Sequence, residues 1–458
     1  MASDKGIASL HVLKGLMSNK GVTRLFLKRL QPNDNSKNQP YLGTDTSSVG
    51  FLPVSDWTPS QSTSRKKYRR TDKLSAPLPM TWIDGDGNQF PAPNAQIIFY
   101  PQYPELRLSG FLQGSDWKSD GLFDPQKRGR ERGRILFFGV TTARSVICHA
   151  CDSGSSLGAE INATTSFSMV GVFEEVPLTG STHVLDSRQQ LLEILTATHR
   201  KGWIDSKRLD SAGRVMSCPS PNCGGYTLEA EFGIPPNGHS KPDYLGWELK
   251  QYGVGDLYRP KRNVPITLMT PEPTGGYYGD HNVLDFLRKY GRRSKRHADR
   301  IDFTGQHKVD ETNSKTGMML RLDGYDSSAN HGAGAITDVA NGAVVLVDRA
   351  GDPAALWHFS GLMSHWTRKH AKCAYVQSQT RTEPRKQYMY GSRVELGIET
   401  RFGLFLKAIN DGLIYLDPAP KVEGNSSPRP KTKARNQFRI GSRKISSLYN
   451  AIETEDIS

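Results

Sequence analysis

The chain has 458 residues, 36% of them hydrophobic and 23% charged, which is more apolar material than a disordered chain carries and more length than one core usually organises, so two domains are expected. A net charge of +14 and a pI near 9.4 point to an anionic partner, because clustered Lys and Arg neutralise phosphates and release their counterions. A membrane fits poorly: there is no run of about eighteen apolar residues, and the first twenty lack the apolar core of a signal peptide. A cytoplasmic protein is expected.

In chain order, residues 1–19 read as an N-terminal extension and 20–184 as an all-β module. Short apolar runs between Gly and Pro predict strands over 95–100, 134–140 and 164–173. Two basic clusters lie in this module. One is Arg65-Lys66-Lys67-Tyr68-Arg69-Arg70, with an aromatic inside it; the other is Lys127-Arg128-Gly129-Arg130-Glu131-Arg132-Gly133-Arg134. Either alone reads equally well as a solvated run, but two on one module favour a surface that tracks phosphates.

Near residue 185 the pattern changes, and 185–458 reads as a second domain. Leu191, Leu192, Ile194 and Leu195 have helical spacing over 187–199. Strands are predicted over 243–250, 264–269, 318–322 and 343–347 and a helix over 282–290, which together imply a mixed α/β sheet. Lys289, Arg292, Arg293, Lys295 and Arg296 form a basic run suited to phosphate contacts. Residues 421–435, rich in Pro, Ser and Lys, read as a basic loop.

Five cysteines do not make a disulfide framework, and an odd count fits a reducing compartment. Cys148, Cys151, Cys218 and Cys223 would supply four zinc ligands only if the two pairs met in space. They lie on either side of the domain boundary, so free thiols are the simpler reading and structural zinc is not expected.

The segment Pro242-Asp243-Tyr244-Leu245-Gly246-Trp247-Glu248-Leu249-Lys250 carries the most chemistry. Hydrolysing a phosphodiester needs an activated water and neutralisation of charge on the phosphoryl oxygens, and one or two hard cations held by carboxylates supply both. Asp243 and Glu248 are such carboxylates, and Lys250 can orient the water or stabilise developing negative charge. On an unbroken strand Glu248 and Lys250 share a face while Asp243 faces the other way. A turn or bulge at Leu245-Gly246 is therefore predicted, where glycine tolerates the kink. The spacing Asp-x4-Glu-x-Lys by itself arises by chance in about one chain in ten of this length, and an alternating surface strand would explain it as well.

The surroundings add to it. Gly224-Gly225-Tyr226-Thr227-Leu228-Glu229-Ala230-Glu231-Phe232-Gly233-Ile234, followed by the Pro242 to Gln251 segment, resembles the MvaI/BcnI family of restriction endonucleases, which are PD-(D/E)xK nucleases related in fold to the mismatch-repair nickase MutH. The likeness extends over about 185–458. It implies Asp243 and Glu248 as ligands of one or two Mg2+ ions, the Leu249 carbonyl as a further ligand, Lys250 as the motif lysine, and Glu229 as an acidic helper on the preceding helix, with Glu231 an alternative. In that family the part beyond the motif reads bases. His365, Lys369 and His370, in a helical stretch with Trp366, would then contact phosphates or guanine edges. The alternative makes Trp357 and Trp366 core residues and the others a solvated face.

The segment Leu25 to Gln39, reaching Gly43, is similar to the opening of the DNA-binding effector domain of the EcoRII restriction enzyme, a β pseudobarrel, although the histidine expected just before Gln39 is absent. It implies DNA contacts at Lys28 and Asn33, and at Arg107 on a strand that could equally present an edge charge. With the basic clusters, Arg65, Lys66, Lys67, Arg128 and Arg130 join the candidate contacts, and Arg292 and Arg293 do so from the second domain. The resulting expectation is a multidomain chain with an N-terminal all-β pseudobarrel and a C-terminal PD-(D/E)xK α/β domain. It would act as a magnesium-dependent, type II-like restriction endonuclease on double-stranded DNA, as a monomer or weak dimer, beside a DNA methyltransferase of the same site. A MutH-like nicking enzyme and an inactive sequence-specific DNA-binding protein are the alternatives.

Overall fold

The computed structural model describes residues 6–30, 39–61, 72–101, 104–117, 121–123, 133–164, 167–178, 187–236, 242–259, 263–329 and 334–458. The chain divides into two compact units, Met1–Asp186 and Ser187–Ser458.

The first unit is mostly strand. Val22–Leu30 runs antiparallel between Phe173–Val176 and Arg134–Thr141. Beyond Arg134–Thr141 follow Val146–Asp152, then Met80–Ile83 in parallel, then Gln89–Pro91. A second sheet orders Tyr41–Gly43, Glu105–Ser109, Gln96–Tyr100, Asp72–Pro77 and Thr58–Gln61. These are two separate sheets, so the unit is β-rich, and the pseudobarrel rests on the resemblance alone. The predicted strand over 164–173 is broken: Gly171, at φ +61, turns the chain between Ser168–Val170 and Phe173–Val176. Of the segment read as an extension, residues 7–19 contribute to the core instead. Leu10–Asn19 is a helix capped by the Ser9 hydroxyl, and its Leu13 and Met17, one turn apart, are fully buried against Leu25, Leu27 and Phe137.

The second unit is built on a mixed sheet. The long strand Gln387–Thr400 pairs on one side with Lys372–Arg381, and on the other with Ile204–Asp205 and Tyr449–Asp456. Glu248–Gly253 completes the sheet, in parallel with Lys372–Arg381. One face is covered by the helix Ser187–Arg200, whose Leu191 and Leu195 meet Leu249, Ala374 and Leu396 in a single core. The helix Cys223–Glu231 packs close to the edge strand because Gly224 has no side chain: a Cβ there would lie 2.6 Å from the Gln251 amide oxygen.

Smaller sheets complete the unit. Pro265–Met269, Phe438–Gly441 and Ile414–Leu416 form one, and Met319–Asp323, Ala343–Val347 and Pro353–His358 another. Residues 421–435 are not a plain loop. Lys421–Glu423 and Lys431–Lys433 form a hairpin that extends Arg292–Arg293 and Arg300–Asp302, because Val422 is a buried anchor between charged neighbours. Cys218 and Cys223 are joined as a disulfide, Cα atoms 5.8 Å apart, while Cys148, Cys151 and Cys373 are free thiols. The free-thiol expectation thus fails for that pair, because the turn entering the helix brings the two side chains together.

Candidate active site

The segment 243–250 is not one strand. Tyr244 and Trp247 exchange backbone hydrogen bonds (2.9 and 2.7 Å) around Leu245 at φ +45 and Gly246 at φ +88, a two-residue turn with both central residues left-handed. The strand begins at Glu248. This turn is the irregularity that the five-residue offset of Asp243 demanded, and it folds Asp243 back so that its Oδ2 accepts a hydrogen bond from the Leu249 N–H at 2.8 Å.

Glu248 is 2% exposed. Its Oε1 accepts from Lys250 Nζ at 2.7 Å and lies 3.5 Å from Lys369 Nζ; its Oε2 is buried without a partner. Lys250 is 17% exposed, on the same face as Glu248, while Trp247 and Leu249 point into the core. Glu229, near the end of Cys223–Glu231, faces this group electrostatically. Glu231 is instead held by Lys201 and Lys207 at 2.5 and 2.6 Å.

Gathering carboxylates out of water raises their proton affinity. Burial, followed by the charges of Asp243 and Glu248, pushes Glu229 up to about 7. Burial and then Glu248 push Asp243 up to about 6, against the pull of the Leu249 N–H. Burial opposes the Lys250 ammonium, but Glu248, with help from Cys373 and Asp243, outweighs it and lifts its pKa above the usual lysine value.

Lys369 comes from the helix Phe359–His370, which leads directly into Lys372–Arg381. Because that strand is the parallel neighbour of Glu248–Gly253, with Cys373 level with Glu248, the end of the helix reaches the motif acid. Nothing in the 121-residue separation signals this. His365, one turn before Lys369, is half-buried. His370 is not available to DNA: it is fully buried, stacks on Trp366 at 4.2 Å and donates through Nε2 to the Leu268 carbonyl at 3.1 Å. Its place one residue past Lys369 turns it inward. Trp357 and Trp366 are core residues.

Arg292 and Arg293 are exposed and, with Lys295, Arg296 and Lys315, rim a hollow of about 260 Å³ floored by Phe303 and Thr316. In the first unit, Lys28 is half-buried over the Tyr41 and Phe173 rings and donates to the Val172 carbonyl. Arg107 is tied to Glu105 and to the Gln39 carbonyl. Asn33, Arg65, Lys66, Lys67, Arg128 and Arg130 lie outside the described residues.

Among the described residues no group of three His, Cys, Asp or Glu side chains is drawn together as a ready-made metal cage. The donor set that fits a hard cation is smaller: the unpartnered Glu248 Oε2, and the Asp243 carboxylate oxygen not engaged by Leu249.

An acid pair and a lysine at the start of an edge strand, on a mixed sheet flanked by helices, define a restriction-endonuclease fold. The chain belongs to the MvaI/BcnI restriction endonuclease family, whose model matches residues 192–449, a family of site-specific DNA endonucleases. Among solved structures it is similar to the restriction endonuclease MvaI in complex with its cognate DNA substrate, at 18% identity over 60% of this chain and all of that one, TM-score 0.44. MvaI in the absence of DNA matches over the same shares at 17% identity and TM-score 0.32. No curated protein matches the chain.

Proposed function

We propose that the chain is a magnesium-dependent, type II-like restriction endonuclease that hydrolyses double-stranded DNA at a short specific sequence. The observation that carries this reading is the convergence of Asp243, Glu248 and Lys250 across the 244–247 turn, with Glu248 Oε2 buried and lacking a partner.

Asp243, Glu248 and the Leu249 carbonyl would hold the cation, which when bound polarises a phosphoryl oxygen and lowers the pKa of water. Glu229 adds a second negative charge behind Asp243, reached through water. Lys250, held at Glu248, places a positive charge where the pentacoordinate phosphorus accumulates negative charge. Lys369 supplies a second cation on the side of the helix, suited to a phosphate of the cut strand. Arg292 and Arg293 are assigned to backbone phosphates further along the duplex, and His365 to a contact beside Lys369. In the first unit, Lys28, Asn33, Arg65, Lys66, Lys67, Arg107, Arg128 and Arg130 remain candidates for a second DNA-binding surface of effector type.

The test is digestion of supercoiled plasmids of known sequence, with magnesium and with EDTA, by the full chain and its Asp243→Ala and Lys250→Ala variants. Discrete fragments that require magnesium and vanish in both variants are the expected result. Nicked circles alone would replace this reading with a MutH-type nickase. Intact plasmid despite salt-dependent binding would replace it with an inactive DNA-binding protein.

A further inference from the structure

The hollow of about 260 Å³ in the second unit gathers cations from two separate turns. Arg292 and Arg293 form a short strand, Lys295 and Arg296 lie in the turn that joins it to Arg300–Asp302, and Lys315 belongs to the turn ahead of Met319–Asp323. All five are exposed, and among the described residues none of them makes an ion pair. The acids of the same small sheet are engaged elsewhere. Asp302 also lines the hollow, but Arg300 holds its carboxylate at 2.7 Å, and Glu423 takes Lys421 at 2.5 Å. Five like charges around a concavity with no free acid repel one another and create a strongly positive potential inside it.

The walls of the hollow are fixed without a ligand. The Ser294 N–H donates to the Arg300 carbonyl at 2.8 Å and closes the first turn. In the second, Asn313 Oδ1 accepts from the Lys315 and Thr316 N–H groups at 2.9 and 3.1 Å, while its Nδ2 donates to the Gln306 carbonyl at 2.7 Å. Beneath them His307, fully buried, hydrogen-bonds through Nε2 to the Thr316 hydroxyl at 2.8 Å and stacks on Phe303, ring centroids 5.6 Å apart. Only the long side chains of the rim remain to be ordered, which lowers the cost of binding.

The occupant must be anionic, compact and rich in acceptors. Ser294, Thr304 and Thr316 add hydroxyl donors to the five cations, and guanidinium groups match phosphate oxygens in pairs. At roughly 30 Å³ for each water, the volume is that of about nine waters, room for more than one phosphate group. A single phosphodiester carries one negative charge and would leave most of the ring unneutralised.

We propose that this hollow is a binding site for two neighbouring phosphate groups, either successive phosphates of one DNA strand or the diphosphate of a free nucleotide. The inference extends the assignment of Arg292 and Arg293 to phosphates and rests on that part of the functional reading alone. It adds Lys295, Arg296 and Lys315, and replaces separate contacts along a duplex with one preformed pocket.

The experiment is calorimetry on the full chain in EDTA at constant ionic strength, with inorganic pyrophosphate, orthophosphate and citrate as probes. Pyrophosphate is expected to bind roughly 10-fold or more tightly than either of the others. The double variant Lys295→Ala, Arg296→Ala and the single variant Lys315→Ala should each weaken it by roughly 10-fold, with thermal midpoints at or above that of the wild type because repulsion is relieved. Absent pyrophosphate binding, equal affinity for citrate, or binding unchanged in both variants would overturn the proposal. Anisotropy of a labelled duplex then separates the two sources. If pyrophosphate weakens DNA binding as much as the double variant does, the pocket holds a DNA strand; if DNA binds equally well beside it, the pocket holds a free nucleotide. A wild type that binds pyrophosphate here but cuts no DNA would remove the nuclease reading and leave the pocket. Cleavage without pyrophosphate binding would do the reverse.

Discussion

The Leu249 N–H donates to Asp243 Oδ2 at 2.8 Å across a two-residue turn, so the first acid of the motif is fastened to the strand that carries the second. The separation of five residues therefore matters less than the turn, which converts an offset of the wrong parity into a convergent pair.

The turn makes its own prediction. Leu245 holds φ +45 and is 40% exposed, whereas left-handed pairs favour Asn followed by Gly. Leu245→Asn should stabilise the protein by about 1 kcal/mol, and calorimetry should show a rise of roughly 2–4 °C in thermal midpoint. Gly246→Ala, at φ +88, should cost about 1–2 kcal/mol and slow cleavage by loosening Asp243.

The carboxylates predict a reversed pH response in the metal-free protein. Glu229 rises from 4.5 to about 7 and Asp243 from 3.8 to about 6. Each is therefore a better base in the folded state than in the unfolded one. The folded state then binds more protons, and its stability falls as pH increases through this window. The penalty is present in full above about pH 7 and disappears toward the unfolded values. Asp243→Asn and Glu229→Gln should melt higher than wild type at pH 8 in EDTA and close to it at pH 4.5. Magnesium should raise the wild-type midpoint and leave Asp243→Asn unmoved.

Adjacent residues on one helix should behave oppositely. His370→Ala removes a buried ring from Trp366 and a hydrogen bond to Leu268, and should destabilise by about 2–4 kcal/mol. Lys369→Ala should leave melting near wild type and reduce cleavage, read from thermal denaturation and plasmid digestion on the same samples.

Arg292→Ala and Arg293→Ala should each weaken binding to cognate and unrelated duplexes alike. In fluorescence anisotropy with calcium, each should reduce the slope of log K against log salt by about 1. A loss confined to the cognate sequence would make the residue a base reader instead.

Much of the second unit was legible because its signals are local. The helix Val283–Tyr290 with its Asn282 cap, the buried strand Ala343–Val347 and the kink at Leu245-Gly246 all follow from short-range pattern. What depends on pairing between distant strands was not. The approach of Lys369 to Glu248 is set by parallel register between segments more than a hundred residues apart. His370 looked like a polar surface residue because burial of a neutral imidazole leaves no mark in sequence. The hairpin over 421–433 was hidden by its composition, in which Val422 alone marks the inward face.

The most direct test of the central claim is magnesium titration calorimetry paired with cleavage, on the wild type and on Glu248→Gln, in the presence of a plasmid that the protein binds. The account predicts that Glu248→Gln loses both magnesium binding and cleavage while keeping its affinity for DNA. Cleavage by Glu248→Gln at the wild-type rate would contradict it and move the nuclease site elsewhere in the chain.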